Sequence, residues 1–172
     1  MLLLILLLVI LTSGCQDQNN VFPTVEREEK IPADISKRNP ETDQHPPILH
    51  SNEFEKPIPL PYPINTAGGE DSAFILPDGE TLYIFFTPDV RVPPEETLLD
   101  QVSGIWVSRK SGDMWGKPQR VWLQKPDVLA VDGAVTIQGN EMWFASAREG
   151  YVGVSMFTAE WMDDRYTMGI CG

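Results

Sequence analysis

An internal repeat constrains this chain more than any other feature of its sequence. Runs of apolar and β-branched residues, separated by Gly, Pro, Asp and Asn, occur in the same order in two successive halves, and such runs predict strands joined by tight turns. A repeat of this kind predicts two successive units built on one plan. The halves align in three places: residues 71–76 with 132–137, residues 81–85 with 141–144, and residues 105–108 with 156–159.

Each half is long enough for four short strands. A repeat of about 50 residues with four strands has the size of a β-propeller blade. The predicted fold class is therefore all-β, a partial β-propeller of two four-stranded antiparallel blades within residues 66–172, the first at about 71–125 and the second at about 130–172. The predicted strands are 73–76, 81–87, 104–109 and 120–123 in the first blade, and 133–137, 141–146, 155–160 and 166–170 in the second.

Two short motifs carry a resemblance to known propeller repeats. Residues 76–83, Leu-Pro-Asp-Gly-Glu-Thr-Leu-Tyr, resemble the opening of the WD-like repeats of TolB-like envelope proteins, and residues 146–150, Ser-Ala-Arg-Glu-Gly, resemble the turn that follows in those repeats. The family's Asp before the third strand is replaced by Gly104 and Ser155. Residues 108–115 also resemble the Asp-box of sialidase-type propellers, with Lys110 in the place of its Asp.

The N-terminus has the pattern of a signal peptide. Residues 2–11 are ten consecutive apolar residues, about half the number that a helix needs to cross a bilayer. Small residues then lead to Cys15, an arrangement that resembles the lipobox of bacterial and archaeal lipoproteins, although Thr12 stands where that motif usually has Leu. The resemblance implies a lipoprotein signal peptide at 1–14 and a diacylglyceryl group on Cys15, anchoring the protein to the membrane on the extracytoplasmic side of the cell envelope. A simply cleaved or an uncleaved signal is the alternative.

Residues 15–65 form a proline-rich acidic segment, which contains nine of the chain's fifteen prolines. Proline at this density excludes a long helix or a central strand. We therefore expect a tether that is partly disordered. Within it, residues 57–63 alternate Pro with Ile, Leu and Tyr, and two interpretations are open: a ligand for an aromatic groove, or a stiff lead-in that packs on the folded part.

Composition excludes several functional classes. The chain has 13 Lys and Arg against 25 Asp and Glu, a net charge of −12, with no long basic run, so we expect no nucleic-acid partner. The only cysteines are Cys15 and Cys171, which excludes a disulfide framework and a Cys-based zinc site. His45 and His50 lie in the tether without companion ligands, and no cofactor-binding motif is present. We expect neither a metal nor a cofactor.

One rim of the predicted blades collects the candidate site residues. Because blade strands are antiparallel, the start of the first strand and the loop after the second share a rim, so the insertion at 88–102 lies beside the acidic strand starts. Asp71 and Asp132, aligned by the repeat, are candidates either for catalytic carboxylates or for turn residues that bond the backbone. The predicted ligand face comprises Glu70, Asp71, Asp132, Arg91, Glu95 and Glu96.

These observations predict a binding or scaffolding lipoprotein rather than an enzyme. The expected partners are the membrane, through the lipid anchor, and an envelope protein or a glycan. The enzyme alternative is a glycoside-processing propeller related to sialidases or five-bladed glycosidases. Because two blades do not close a ring, an inactive gene fragment is the third interpretation.

Overall fold

The computed structural model describes residues 22–39, 41–46, 48–125, 128–162 and 165–168. The predicted signal peptide, Cys15 and Cys171 lie outside these residues. The described part is all-β, as predicted, with nine strands, one short α-helix and one 3-10 helix, Arg27–Lys30. None of the helices within the described ranges has the length and apolar character needed to cross a bilayer.

The first half forms one antiparallel sheet. Its strands are β1 (Gly69–Ile75), β2 (Thr81–Thr87), β3 (Gly104–Ser111), β4 (Met114–Trp115) and β5 (Gln119–Arg120). The order is β1-β2-β3-β4, and β5 also pairs with β3. The long connection from β2 to β3 contains α1 (Pro94–Thr97).

The second half forms a four-stranded antiparallel sheet. Its strands are β6 (Ala130–Gln138), β7 (Glu141–Arg148), β8 (Val154–Met162) and β9 (Arg165–Thr167), in the order β6-β7-β8-β9. The predicted match of the third strands is confirmed, because Leu82 pairs with Ser108 where Met142 pairs with Ala159. The fourth strand of the first half differs from the prediction of 120–123, since two short strands, β4 and β5, share the edge of β3.

The first strands of the two halves are related by a different register from the one that the sequence suggested. Glu70 pairs with Phe86, and Asp132 pairs with Ser146 at the corresponding place in the second sheet. Glu70, and not Asp71, is therefore the counterpart of Asp132. The reason is the length of the hairpin turns: Ile75 pairs with Leu82 but Ile137 pairs with Met142, so the first turn is two residues longer than the second, where the sequence alignment allowed for one. Both first strands contain a β-bulge at the equivalent place, after Asp71 in β1 and after Gly133 in β6.

The first sheet is covered on both faces. Its front face presents Tyr83 and Ile105, which join the second sheet's Val135, Met142 and Phe144 in one apolar cluster. Its rear face packs in a second cluster under the N-terminal segment. Because neighbouring strand residues point to opposite faces, the apolar run of β2 fills both clusters. The rear cluster contains Leu82, Ile84, Phe86, Val102, Trp106 and Ile64, with Val25 and Ile31 packed against it.

A buried arginine fixes the N-terminal segment on that rear face. The side chain of Arg27 is almost fully buried, and its guanidinium lies 4.9 Å from the ring centre of Phe86. It donates hydrogen bonds to the carbonyl oxygens of Pro63 and Ile64, the latter at 2.9 Å. Burial lowers the pKa of Arg27. Part of the segment predicted to be a tether is thus packed on the first sheet, from Val25 to Ile31 and again at Ile64.

The proline-alternating stretch before Ile64 behaves differently. Ile58 and Tyr62 are 86% and 69% exposed, and packing on the sheet begins only at Ile64. Every residue in 56–63 is either a proline or the residue before one, and both are restricted to extended backbone. The stretch is therefore a stiff segment outside any strand, and it leaves the side chains of Ile58 and Tyr62 in solvent.

Candidate ligand-binding site

A cavity of about 410 Å³ lies where the two sheets meet. Strands β1, β2, β6 and β7 contribute to its wall, and the insertion after β2 closes one side. This volume is within the range of small-molecule sites. The lining residues are Asp71, Ser72, Phe85, Thr87, Asp89, Val90, Val92, Pro94, Thr97, Val131, Gly133, Ala134, Ala145, Ser146, Ala147 and Val154.

Small residues on the second sheet create the space for this cavity. Ala145 and Ala147 stand at the positions where the first sheet has Phe85 and Thr87. Gly133 allows β6 to approach Phe85, since a Cβ on that glycine would lie 3.0 Å from the Phe85 ring. The cavity is therefore a consequence of where the two repeats differ in side-chain size.

The backbone is strained on both sides of the cavity. Ser72 and Ala134 line it with φ angles of +48° and +50°, in the left-handed region that L-residues seldom adopt. Both lie within the β-bulges of the first strands. Such bulges redirect side chains and occur often beside functional sites.

The charges on the cavity wall are two carboxylates, and no Lys or Arg is among its lining residues. Asp89 forms an ion pair with Arg91, whose Nη2 lies 2.9 Å from Asp89 Oδ2. Arg91 also pairs with Asp34, with 2.8 Å between Arg91 Nη1 and Asp34 Oδ2. Hydrogen bonds from Arg91 hold the pKa of Asp89 below its ordinary value. Asp71 is exposed, and among the described residues its carboxylate has no hydrogen-bond or ion-pair partner. Asp71 is thus the uncompensated charge of the site.

Glu70, predicted on the ligand face, has a structural role. Its side chain is largely buried and accepts hydrogen bonds from the backbone N–H of Thr66, at 3.0 Å, and from the Thr66 hydroxyl. Lys37 and Arg27 supply the opposite charge. The neighbouring Asp71 points to the other face of β1, because successive residues of a strand alternate.

Asp132 is equally unavailable to a ligand. It is 0% exposed, and its Oδ1 accepts hydrogen bonds from Ser146 Oγ at 2.6 Å and from Arg148 Nη2 at 2.8 Å. Arg148 in turn stacks 4.5 Å from the centre of the Phe157 ring. Ser146 and Arg148, the two polar residues of the Ser-x-Arg motif, therefore bind a buried carboxylate. Asp132 is not among the residues that line the cavity.

The remaining predicted site residues lie around the cavity but do not line it. Arg91 points away from it, toward Asp34. Glu95 and Glu96 are exposed on α1, while their neighbours Pro94 and Thr97 line the wall. Sequence reasoning missed the apolar lining, and its available signal was the pair of alanines opposite Phe85 and Thr87 in the repeat.

The described residues contain no group of three or more His, Cys, Asp or Glu arranged to hold a metal ion. Comparisons with protein-family models, with curated proteins and with solved structures found no match for this chain. The geometry alone therefore carries the functional argument: an apolar cavity with one free carboxylate at its rim.

Proposed function

We propose that this protein is a membrane-anchored extracytoplasmic binding lipoprotein, built from WD-like, TolB-like β-propeller repeats and without catalysis of its own. Its ligand belongs to the cell envelope, a protein or a glycan. The observation that carries the proposal is the cavity between the two sheets, whose wall holds a single uncompensated carboxylate, Asp71.

The arrangement of carboxylates supports binding over hydrolysis. A glycosidase needs two carboxyl groups that both face the substrate, one as an acid and one as a nucleophile or base. Here Asp132 is ion-paired inside the second sheet and Asp89 is bound by Arg91. Asp71 alone is free, so the cavity lacks the second group that the enzyme alternative requires.

The packing of the sheets supports the propeller proposal. The front face of the first sheet, at Tyr83 and Ile105, packs on the second sheet. The corresponding residues of the second sheet are Trp143 and Met156, by the shared register of strands two and three. Trp143 is 43% exposed and Met156 is 61% exposed. Equivalent faces that are apolar in both units are what repeats stacked face to face require.

The packed N-terminal segment sets the distance from the proposed anchor. Between Cys15 and the buried Arg27 there are twelve residue steps, which span at most about 40 Å when fully extended. A lipid on Cys15 would hold the sheets closer to the membrane surface than a free tether of about 50 residues would. We therefore propose a module that acts at the membrane surface.

Membrane fractionation of expressing cells tests the anchor. Cys15→Ser should move the protein from the membrane fraction to the soluble extracytoplasmic fraction and abolish labelling by a fatty-acid probe, because the thiol that carries the lipid is lost. Cys171→Ser is the matched control and should stay with the membrane. Retention of Cys15→Ser in the membrane would contradict lipid anchoring and would support an uncleaved signal.

Hydrolysis assays on chromogenic glycosides test the enzyme alternative. We expect no turnover above that of a heat-unfolded sample. Turnover that disappears in Asp71→Asn while the protein stays folded would contradict the proposed binding function.

A further inference from the structure

We propose that the cavity binds an alkylammonium group, a primary amine cation on an apolar stem, presented either by a free amine or by a lysine side chain of a partner protein. The proposal rests on the binding function proposed above and specifies the ligand of the same site. It follows from three properties of the wall: its charge, its apolar depth and its hydrogen-bond acceptors.

The charge of the wall selects a cation. Asp71 and Asp89 are the ionisable residues that line the cavity, and of these two Arg91 pairs with Asp89 and not with Asp71. An anionic ligand would meet the carboxylate of Asp71 with no cation on the lining to offset it. A cationic ligand would complete the pairing that the protein leaves open at Asp71, and a surrounding chain of net charge −12 favours its approach.

The apolar lining selects a stem rather than a bare ion. Phe85, Val131, Ala145, Ala147 and Val154 present hydrocarbon to the cavity. An inorganic cation would gain nothing from this surface and would have to shed its hydration. A chain of methylene groups would be removed from water there, and each added methylene should raise the affinity about fourfold until the cavity is filled.

The rim also supplies acceptors for a primary amine. An ammonium group has three N–H donors. The Asp71 carboxylate accepts one or more, and the hydroxyls of Ser72 and Thr87 line the same wall. Thr87 Oγ1 lies 3.0 Å from Ser103 Oγ and retains acceptor capacity. A quaternary ammonium cannot use these acceptors, so a primary amine should bind more tightly than its trimethylated analogue.

Calorimetric titration of the full chain with n-butylammonium, n-hexylammonium and hexanoate tests the proposal. We expect both amines to bind, hexylammonium more tightly by roughly tenfold or more from its two extra methylenes, and hexanoate not to bind. Asp71→Asn should weaken hexylammonium binding about tenfold or more. Glu80→Gln is the matched control, since Glu80 is an exposed carboxylate at a hairpin turn outside the cavity. This variant should bind hexylammonium with the same affinity as the unchanged protein.

A second variant distinguishes binding in the cavity from attraction to surface charge. Ala145→Leu occupies part of the apolar wall and leaves Asp71 in place, so it should reduce hexylammonium binding while the far-ultraviolet circular dichroism stays unchanged. Titration with Nα-acetyl-lysine methylamide distinguishes the two sources: binding as tight as that of butylammonium indicates a lysine side chain, and clearly weaker binding indicates a free amine.

Equal binding of hexylammonium and hexanoate, or full affinity in Asp71→Asn, would overturn the inference. If amines fail to bind and a neutral glycan binds in a way that Ala145→Leu abolishes, the ligand class is wrong and the binding function stands. If no envelope protein, glycan or amine binds and Ala145→Leu changes nothing, both proposals fail.

Discussion

Asp132 and Arg148 form an ion pair inside the second sheet, with Arg148 Nη2 2.8 Å from Asp132 Oδ1 and side chains that are 0% and 8% exposed. Asp132 occupies the register position that Glu70 holds in the first sheet, where Lys37 and Arg27 of the N-terminal segment supply the opposite charge. Each half therefore neutralises an acidic residue at the start of its first strand, and the acid that faces the cavity is a different residue, Asp71.

This difference predicts opposite behaviour of two aspartates. Asp132→Asn should lower the free energy of unfolding by about 3–5 kcal/mol, because it leaves the buried guanidinium of Arg148 without its charge partner. Asp71→Asn should change it by less than about 0.5 kcal/mol, because Asp71 is exposed and unpaired within the described residues. Urea unfolding followed by tryptophan fluorescence measures both. A loss of stability in Asp71→Asn as large as in Asp132→Asn would contradict the register.

Among the described glycines with positive φ, Gly104 is the most closely packed. Its φ is +143°, and a Cβ there would lie 2.2 Å from Arg120 Nη2, which donates to the Ser103 carbonyl oxygen at 3.0 Å. Gly104→Ala should therefore displace Arg120 and lower the thermal midpoint substantially. Gly139→Ala is the matched control, since Gly139 has a φ of +62° with open space around it, and it should cost only about 1–2 kcal/mol of backbone strain. Equal midpoints for the two variants would show that Arg120 is not packed on Gly104.

Arg27 should control whether the N-terminal segment stays on the first sheet. Arg27→Ala removes the hydrogen bonds to the carbonyl oxygens of Pro63 and Ile64 and the contact with the Phe86 ring. We expect thermolysin to cleave this variant near Ile31 at least tenfold faster than the unchanged protein, with the sheets remaining intact. Arg38→Ala, at an exposed position in the same segment, should be cleaved at the unchanged rate. Fast cleavage of the unchanged protein would instead indicate a free tether.

Stability should fall at alkaline pH because of two buried tyrosines. Burial raises the pKa of Tyr83 and of Tyr166 above the ordinary value of 10.0. Between that value and the folded-state pKa only the unfolded chain releases these protons, so the stabilisation is complete below pH 10 and is lost as pH rises above it. The thermal midpoint should drop as pH rises above about 10, and the drop should be smaller in Tyr83→Phe.

Arg120 acts in the opposite direction, because burial lowers its pKa to about 10 and the cost of burying its charge fades above that pH. Since Arg120 is present in both proteins, the comparison with Tyr83→Phe isolates the tyrosine. A midpoint whose alkaline drop is the same in both would contradict the assignment to Tyr83.

Local patterns were sufficient to predict the first three strands of each half, but not the fourth strand of the first half. The hairpin around Asp78 and Gly79 was predicted because Asp and Gly at a turn are local signals, and Asp78 accepts hydrogen bonds from the backbone N–H groups of Glu80 and Thr81 at 2.7 and 3.0 Å. The third strands matched because their alternation runs without interruption. The prediction of β2 at Thr81–Thr87 agrees with the structure residue for residue.

The register of the first strands could not be predicted in the same way. Asp71 and Asp132 are chemically identical, so aligning them was the simplest choice. That alignment makes the first hairpin turn one residue longer than the second, whereas the structure makes it two residues longer. Arg27 was missed for another reason: a charged residue in a proline-rich acidic segment has the sequence signature of solvated chain. Its burial depends on Phe86 and Trp106, which lie far along the sequence.

The cavity could not be predicted from the sequence, because it forms only through tertiary packing. The lining brings residues 71–72 and 85–97 against residues 131–134 and 145–154, and no local pattern states that these segments meet. What the sequence does contain is the difference in side-chain size between the repeats, which becomes informative only once the sheets are paired.

The most direct test of the whole account is a titration of the isotope-labelled full chain with n-hexylammonium, followed by amide and methyl shifts in nuclear magnetic resonance spectra. We predict saturable shifts at Asp71, Phe85, Ala145 and Val154, which line one cavity, with Glu95 and Glu96 unaffected. Shifts that follow the exposed acidic residues instead, without saturation and without response at Ala145, would contradict it.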